Sequence, residues 1–126
     1  MNKTVKICLY AVLTFGVVAQ TLIASQQDPG PFLGDWMGTI SPGYDVVFHF
    51  MLDAEKKISG TVDVPAEGVI GDVLTDIKID GRNISFNLPG APGNPLHKGV
   101  LDESEKKMAM TIFQNGREMN LILTKG

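Results

Sequence analysis

The chain has 126 residues, a net charge of −3, 44% hydrophobic residues, one cysteine and one tryptophan. That length bounds a single domain. Mild acidity with scattered basic residues excludes an electrostatic nucleic-acid surface, and a lone cysteine excludes a disulfide framework.

The N-terminal stretch reads as a targeting segment. Lys3 and Lys6 precede a run, residues 7–18, that is apolar apart from Thr14 and Gly16. Small residues follow at Ala19, Ala24 and Ser25, and then polar Gln26, Gln27 and Asp28. This pattern predicts a helical secretory signal peptide over residues 1–25, cut after Ala24 or Ser25. The alternative, an uncleaved anchor helix, needs Gln20 and Thr21 to reach ~17 residues, which is short for a membrane span. Cys8 lies inside the segment, so the expected mature chain is cysteine-free. Losing Lys3 and Lys6 leaves nine basic against fourteen acidic residues, a net −5. The expected location is secreted or periplasmic, with no membrane contact after cleavage. Residues 26–31 read as a linker and residues 32–126 as the folded domain.

Apolar alternation between turn signals then predicts strands. The first covers 33–40, with Trp36, Gly38 and Ile40 on one face. After Ser41-Pro42-Gly43-Tyr44, the second (45–52) aligns Val46, Phe48, Phe50 and Leu52. The third (57–64) aligns Ile58, Gly60, Val62 and Val64. Residues 69–74 have no clear period. A fourth strand (75–80) carries Ile77 and Ile79. Asp80-Gly81 is a hairpin signal, since both residues accept positive φ. The fifth strand (82–88) aligns Ile84, Phe86 and Leu88. A loop of breakers follows, Pro89-Gly90-Ala91-Pro92-Gly93-Asn94-Pro95. The sixth strand (96–102) aligns His97, Gly99 and Leu101, and the seventh (107–114) Met108, Met110 and Ile112. Asn115-Gly116 turns the chain into the eighth (117–125), with Met119, Leu121 and Leu123 inward.

About eight short strands joined in sequence predict a single small antiparallel up-and-down β-barrel; the alternative is a two-sheet β-sandwich. Gly38, Gly60 and Gly99 fall on the buried phase of their strands. An interior glycine weakens a strand unless the missing side chain is needed, so three in phase point to a narrow, strongly coiled barrel.

No catalytic constellation is legible. No serine sits in a G-x-S-x-G elbow, and no thiol remains after export. His49 has the outward phase and His97 the inward phase, so the two are expected on opposite faces. Asp72, Asp76 and Asp80 lack the alternating acids of a calcium loop, and no metal or cofactor is expected. Asn83-Ile84-Ser85 matches a glycosylation sequon but falls in a strand. Met108, Met110 and Met119 share the inward phase of adjacent strands. Methionine fills irregular cores and also lines adaptable apolar pockets. With Trp36 and His97 they make up the candidate ligand-binding residues.

Gly34-Asp35-Trp36 resembles the G-x-W opening of calycin-type barrels, the lipocalins and avidins. That resemblance implies a tryptophan closing one barrel end against a basic residue from late in the chain, Arg117 or Lys125 here. A second resemblance covers nearly all residues after the targeting segment. Gly34-Asp35-Trp36-Met37-Gly38, Val46-Val47-Phe48-His49-Phe50, Ile58-Ser59-Gly60-Thr61-Val62, Ile77-Lys78-Ile79-Asp80-Gly81 with Ile84-Ser85-Phe86, and Lys98-Gly99-Val100-Leu101 follow in order. They look like the small β-domain that precedes the catalytic domain of some secreted bacterial α/β-hydrolases. Met110 and Ile112 stand where that pattern has glycine and an aromatic. The resemblance implies a fold and a compartment and carries over no catalytic residue.

The expectation is an exported, non-catalytic β-barrel accessory or binding domain, with the 89–95 loop and the adjacent barrel mouth as contact surface. Two alternatives stand beside it: a calycin-like carrier of a small apolar ligand, and a subunit or regulator of a secreted hydrolase. The expected partner is accordingly an unknown protein or a small apolar molecule.

Overall fold

Each strand pairs antiparallel with its chain neighbour, from β1 (Gly34–Ile40) through β2 (Tyr44–Leu52) and β3 (Ile58–Val64) to β4 (Val69–Val73). The second run goes from β5 (Thr75–Asp80) through β6 (Asn83–Asn87), β7 (Leu96–Leu101) and β8 (Lys107–Gln114) to β9 (Arg117–Lys125). β1 also pairs with β9, which joins the two runs into one nine-stranded sheet. This computed structural model describes residues 28–40 and 43–126. The predicted signal peptide, Cys8 and the Ser41-Pro42 turn lie outside the described residues.

The sheet is a nearly closed antiparallel barrel. β4 and β5 stand at opposite ends of the strand order, yet only Leu74 separates them in the chain. A flat sheet cannot satisfy both conditions; a cylinder does. Leu74 makes the closure, donating its N–H to Gly60 O at 2.9 Å while its side chain is buried. All strands belong to one sheet, so the sandwich alternative is excluded. About eight strands were expected and nine are present, because Val69–Val73, without a clear period in sequence, forms β4. β4 and β5 run in the same direction as two halves of one kinked segment that changes partner at Leu74. Positive φ at Gly71 (70°) and Asp76 (54°) supplies the kinks, and the β5–β6 register slips between Thr75 and Lys78.

The core is built from the inward phase of the strands, to which β5 adds only the partly buried Ile77 and Ile79. Trp36, Val46, Phe48, Val62, Ile84, Phe86, Met108, Met110 and Leu123 are nearly solvent-free. The phased glycines have steric reasons. A Cβ at Gly38 would lie 2.8 Å from Ile122 O, one at Gly60 3.1 Å from His49 O, and one at Gly99 2.6 Å from Met108 Sδ. At Gly38 and Gly60 a neighbouring strand's carbonyl stands in the way, and at Gly99 the inward side chains of Met108 and Ile84 already fill the space.

One barrel end is plugged. Where the expected linker meets the domain, Gly30–Phe32 forms a short 3₁₀ turn that drives Phe32 into the core. Trp36 Nε1 donates to Phe32 O at 2.9 Å. Lys125 Nζ lies 5.4 Å from the Trp36 ring centroid and donates to Pro31 O at 3.2 Å. Of the two basic residues considered for this contact, Lys125 makes it.

Candidate functional site

The opposite end is the mouth, and the 89–95 loop roofs one side of it. Three prolines and two glycines alone would leave such a loop loose, but hydrogen bonds tie it down. Ala91 N–H donates to Leu88 O at 3.1 Å, and Asn94 N–H to Ala91 O at 3.1 Å. From outside the loop, Gln114 Nε2 on β8 donates to Pro92 O at 2.8 Å and Asn87 Nδ2 on β6 to Asn94 O at 3.3 Å. Leu88 N–H and His97 Nδ1–H both donate to Pro95 O, each at 3.2 Å. Both lone pairs of that carbonyl are used, and His97 is held to the base of the loop.

Beneath the loop lies a half-open cavity of about 170 Å³. Val46, Phe48, Val62 and Ile112 form its walls, Met119 and Ile40 its far side, and Leu88 and Ala91 its roof. Glu67 and Asp72 stand on its rim, and among the described residues no lysine or arginine lines it. His97 is its most deeply placed polar group, with 3% of its surface exposed. The ring stacks on Phe86 (4.8 Å, 17°) and meets Phe48 edge-on at 5.7 Å. Burial pushes its pKa down to about 4, against a smaller raising effect from Pro95 O, so the ring is neutral at ordinary pH. With Nδ1 carrying the proton, Nε2 is left as an acceptor.

The candidate residues separate by height along the barrel axis. His97 and Met119 line the mouth. Met108 and Met110 face inward but are packed in the core, Met108 against Gly99. Trp36 is at the plugged end. The structure therefore brings two of the five together at the mouth and leaves three in the packing. Sequence reasoning located the loop but missed the β3–β4 corner, where Val64, Glu67, Val69 and Asp72 complete the rim. The only signal there was the Pro65-Ala66-Glu67-Gly68 turn.

A broader, shallower groove of about 600 Å³ follows the seam between β3 and β5, lined by Ile58, Ile77 and Ile79 with Lys56, Lys57 and Lys78. Its charges are solvated lysines, and no buried polar group is aimed into it.

His49 lies on the outer face, opposite to His97 as expected. Nδ1–H donates to Asp35 Oδ1 at 2.7 Å and Nε2–H to Asp63 Oδ2 at 2.9 Å. Two carboxylate acceptors require two N–H donors, which is the imidazolium form. These bonds raise the His49 pKa, Asp35 contributing most, and the bond to His49 in turn lowers that of Asp63. Asp63 Oδ1 also accepts Gly71 N–H at 2.7 Å, so the cluster ties β1 through β4 together. Among the described residues, no group of three or more His, Cys, Asp or Glu side chains is placed to hold a metal ion. Asp72 stands on the mouth rim, while Asp76 and Asp80 are exposed.

Comparison with protein-family models, with curated proteins and with solved structures yields no match.

Proposed function

We propose that this chain is an exported, non-catalytic β-barrel binding domain whose working surface is the mouth beneath the 89–95 loop. The observation that carries this reading is the half-open apolar cavity with one buried, neutral histidine in its lining. Apolar walls with a few placed polar groups are the usual make-up of a small-ligand site. The loop over it is already fixed by hydrogen bonds, so little ordering entropy opposes binding. A deep calyx of the lipocalin kind fits less well, because Trp36, Phe48, Phe50 and Phe86 fill the barrel below the mouth. The ring contacts there are close, with Phe48–Phe86 centroids at 5.5 Å and Phe50–Phe86 at 5.6 Å. The carrier reading therefore narrows to a shallow site for a small molecule. Catalysis has little support: among the described residues His97 has no nucleophile or acid hydrogen-bonded to it, and His49 is engaged by two carboxylates.

Amide NMR of the 26–126 chain during titration with small aromatic and aliphatic probes tests this reading. Saturable shifts are expected at Val46–Phe48 and Leu96–Lys98. Met119→Trp, which fills the mouth from a half-buried position, is expected to abolish them while the chain stays folded. Shifts confined to the β3–β5 seam would overturn the assignment, and turnover of chromogenic esters or glycosides that is lost in His97→Ala would overturn the non-catalytic reading.

A further inference from the structure

The mouth cavity is not uniformly greasy, and the ring of His97, the buried polar side chain in its lining, restricts what can occupy it. His97 cannot turn freely: Nδ1–H is bound to Pro95 O at 3.2 Å, and the ring is held between Phe86 and Phe48. Nε2 makes no hydrogen bond among the described residues. Yet no fully enclosed side-chain nitrogen or oxygen lacks a partner there. Nε2 therefore keeps contact with accessible space, and the space that His97 lines is the mouth cavity.

An occupant made only of hydrocarbon would strip water from that lone pair and leave it unsatisfied, a cost comparable to a lost hydrogen bond. An occupant with one O–H or N–H at its inner tip would replace the water and satisfy it. Size narrows the class further. A cavity of about 150 Å³ admits a benzene-sized molecule, and this one measures about 170 Å³. Charge narrows it again. Glu67 and Asp72 stand on the rim with no basic residue in the lining, so a carboxylate finds repulsion and no counter-charge.

Resting on the binding reading above, we infer that the mouth takes a small uncharged molecule, mostly apolar and about one ring in size, whose single alcohol or phenol hydroxyl donates to Nε2 of His97. Fatty acids and other carboxylates are excluded from this class.

Phenol, toluene and benzoate serve as probes, with the wild-type chain and His97→Phe compared by calorimetry. Phenol is expected to bind the wild type and to weaken about fivefold in His97→Phe, the loss of one net hydrogen bond. Toluene is expected to tighten about fivefold in His97→Phe, where no lone pair is left stripped of water, and benzoate to bind neither chain. A wild-type measurement keeps the test independent of how the variant folds: the ¹⁵N resonance of His97 Nε2 should move on adding phenol in the direction of an accepted hydrogen bond and stay in place with toluene. If phenol and toluene bind alike and neither moves Nε2, this inference falls while the binding reading survives. If neither binds at the mouth, both fall. Tight benzoate binding would contradict the charge argument and overturn the assigned class.

Discussion

Replacing Gly60 by valine should be far more costly than replacing its neighbour Thr61, and the structure says why. A Cβ at Gly60 would lie 2.9 Å from Leu74 Cδ1, 3.0 Å from Phe50 Cδ1 and 3.1 Å from His49 O. The leucine could rotate away, but the His49 carbonyl belongs to the β2–β3 ladder and cannot. Valine adds two more methyl groups beyond that Cβ. Overpacking a core costs about 1–3 kcal/mol, and a backbone contact puts this site at the upper end, about 3 kcal/mol. The same residue's carbonyl accepts the Leu74 N–H that closes the barrel, so any shift of Gly60 also disturbs closure. Thr61 points outward beside His49 on a strand, where valine suits the backbone, and its change should stay within about 0.5 kcal/mol. Trp36, the chain's one tryptophan and fully buried, reports unfolding by fluorescence in urea. For a domain of this size the Gly60→Val deficit corresponds to a fall in Tm of roughly 12–24 °C. Equal urea midpoints for the two variants would show that the inward phase, and with it the packing argument, is wrong.

Three further outcomes are expected. The folded His97 pKa, about 4, lies below its ordinary value of 6.5, so the unfolded chain binds the proton more readily in that window. The neutral ring's contribution is complete above pH 6.5 and is lost as pH falls toward 4. Wild type should therefore lose roughly 2–3 kcal/mol more than His97→Phe between pH 7 and 4, and parallel urea-stability curves would count against a buried neutral ring. His49 has the opposite sign: its folded pKa is raised, so the Asp35–His49–Asp63 cluster contributes below the ordinary value and fades as pH rises through the folded one. His49→Gln should destabilise at pH 5.5 and be nearly neutral at pH 9, which thermal melts at the two pH values would check. N-terminal sequencing of exported protein should begin near Gln26, and material that starts at Met1 would refute cleavage.

Period-2 alternation made the inward face of most strands legible, because each side chain simply chooses core or solvent. It did not give height along the barrel. Met108, Met110 and Met119 share one phase, but only Met119 reaches the mouth. Height is set by register between strands far apart in sequence, such as Trp36 opposite Lys125. β4 was obscured for a local reason. Ile70 and Val73 point outward and Gly71 breaks the alternation with positive φ, so no hydrophobic face repeats. Phe32 was hidden by the breakers Pro29, Gly30 and Pro31 around it, which read as linker but set a 3₁₀ turn. The inward phase of His97 was readable; its tautomer was not, because that depends on the Pro95 carbonyl.

The most direct test of a plugged barrel with a working mouth uses the methionine methyls as depth markers. In the ¹³C-methyl spectrum of the 26–126 chain, saturating phenol should shift Met119 and leave Met108 and Met110 in place. Movement of Met108 and Met110 would mean that the ligand penetrates the core, and a spectrum with no shift at Met119 would mean that the mouth does not bind.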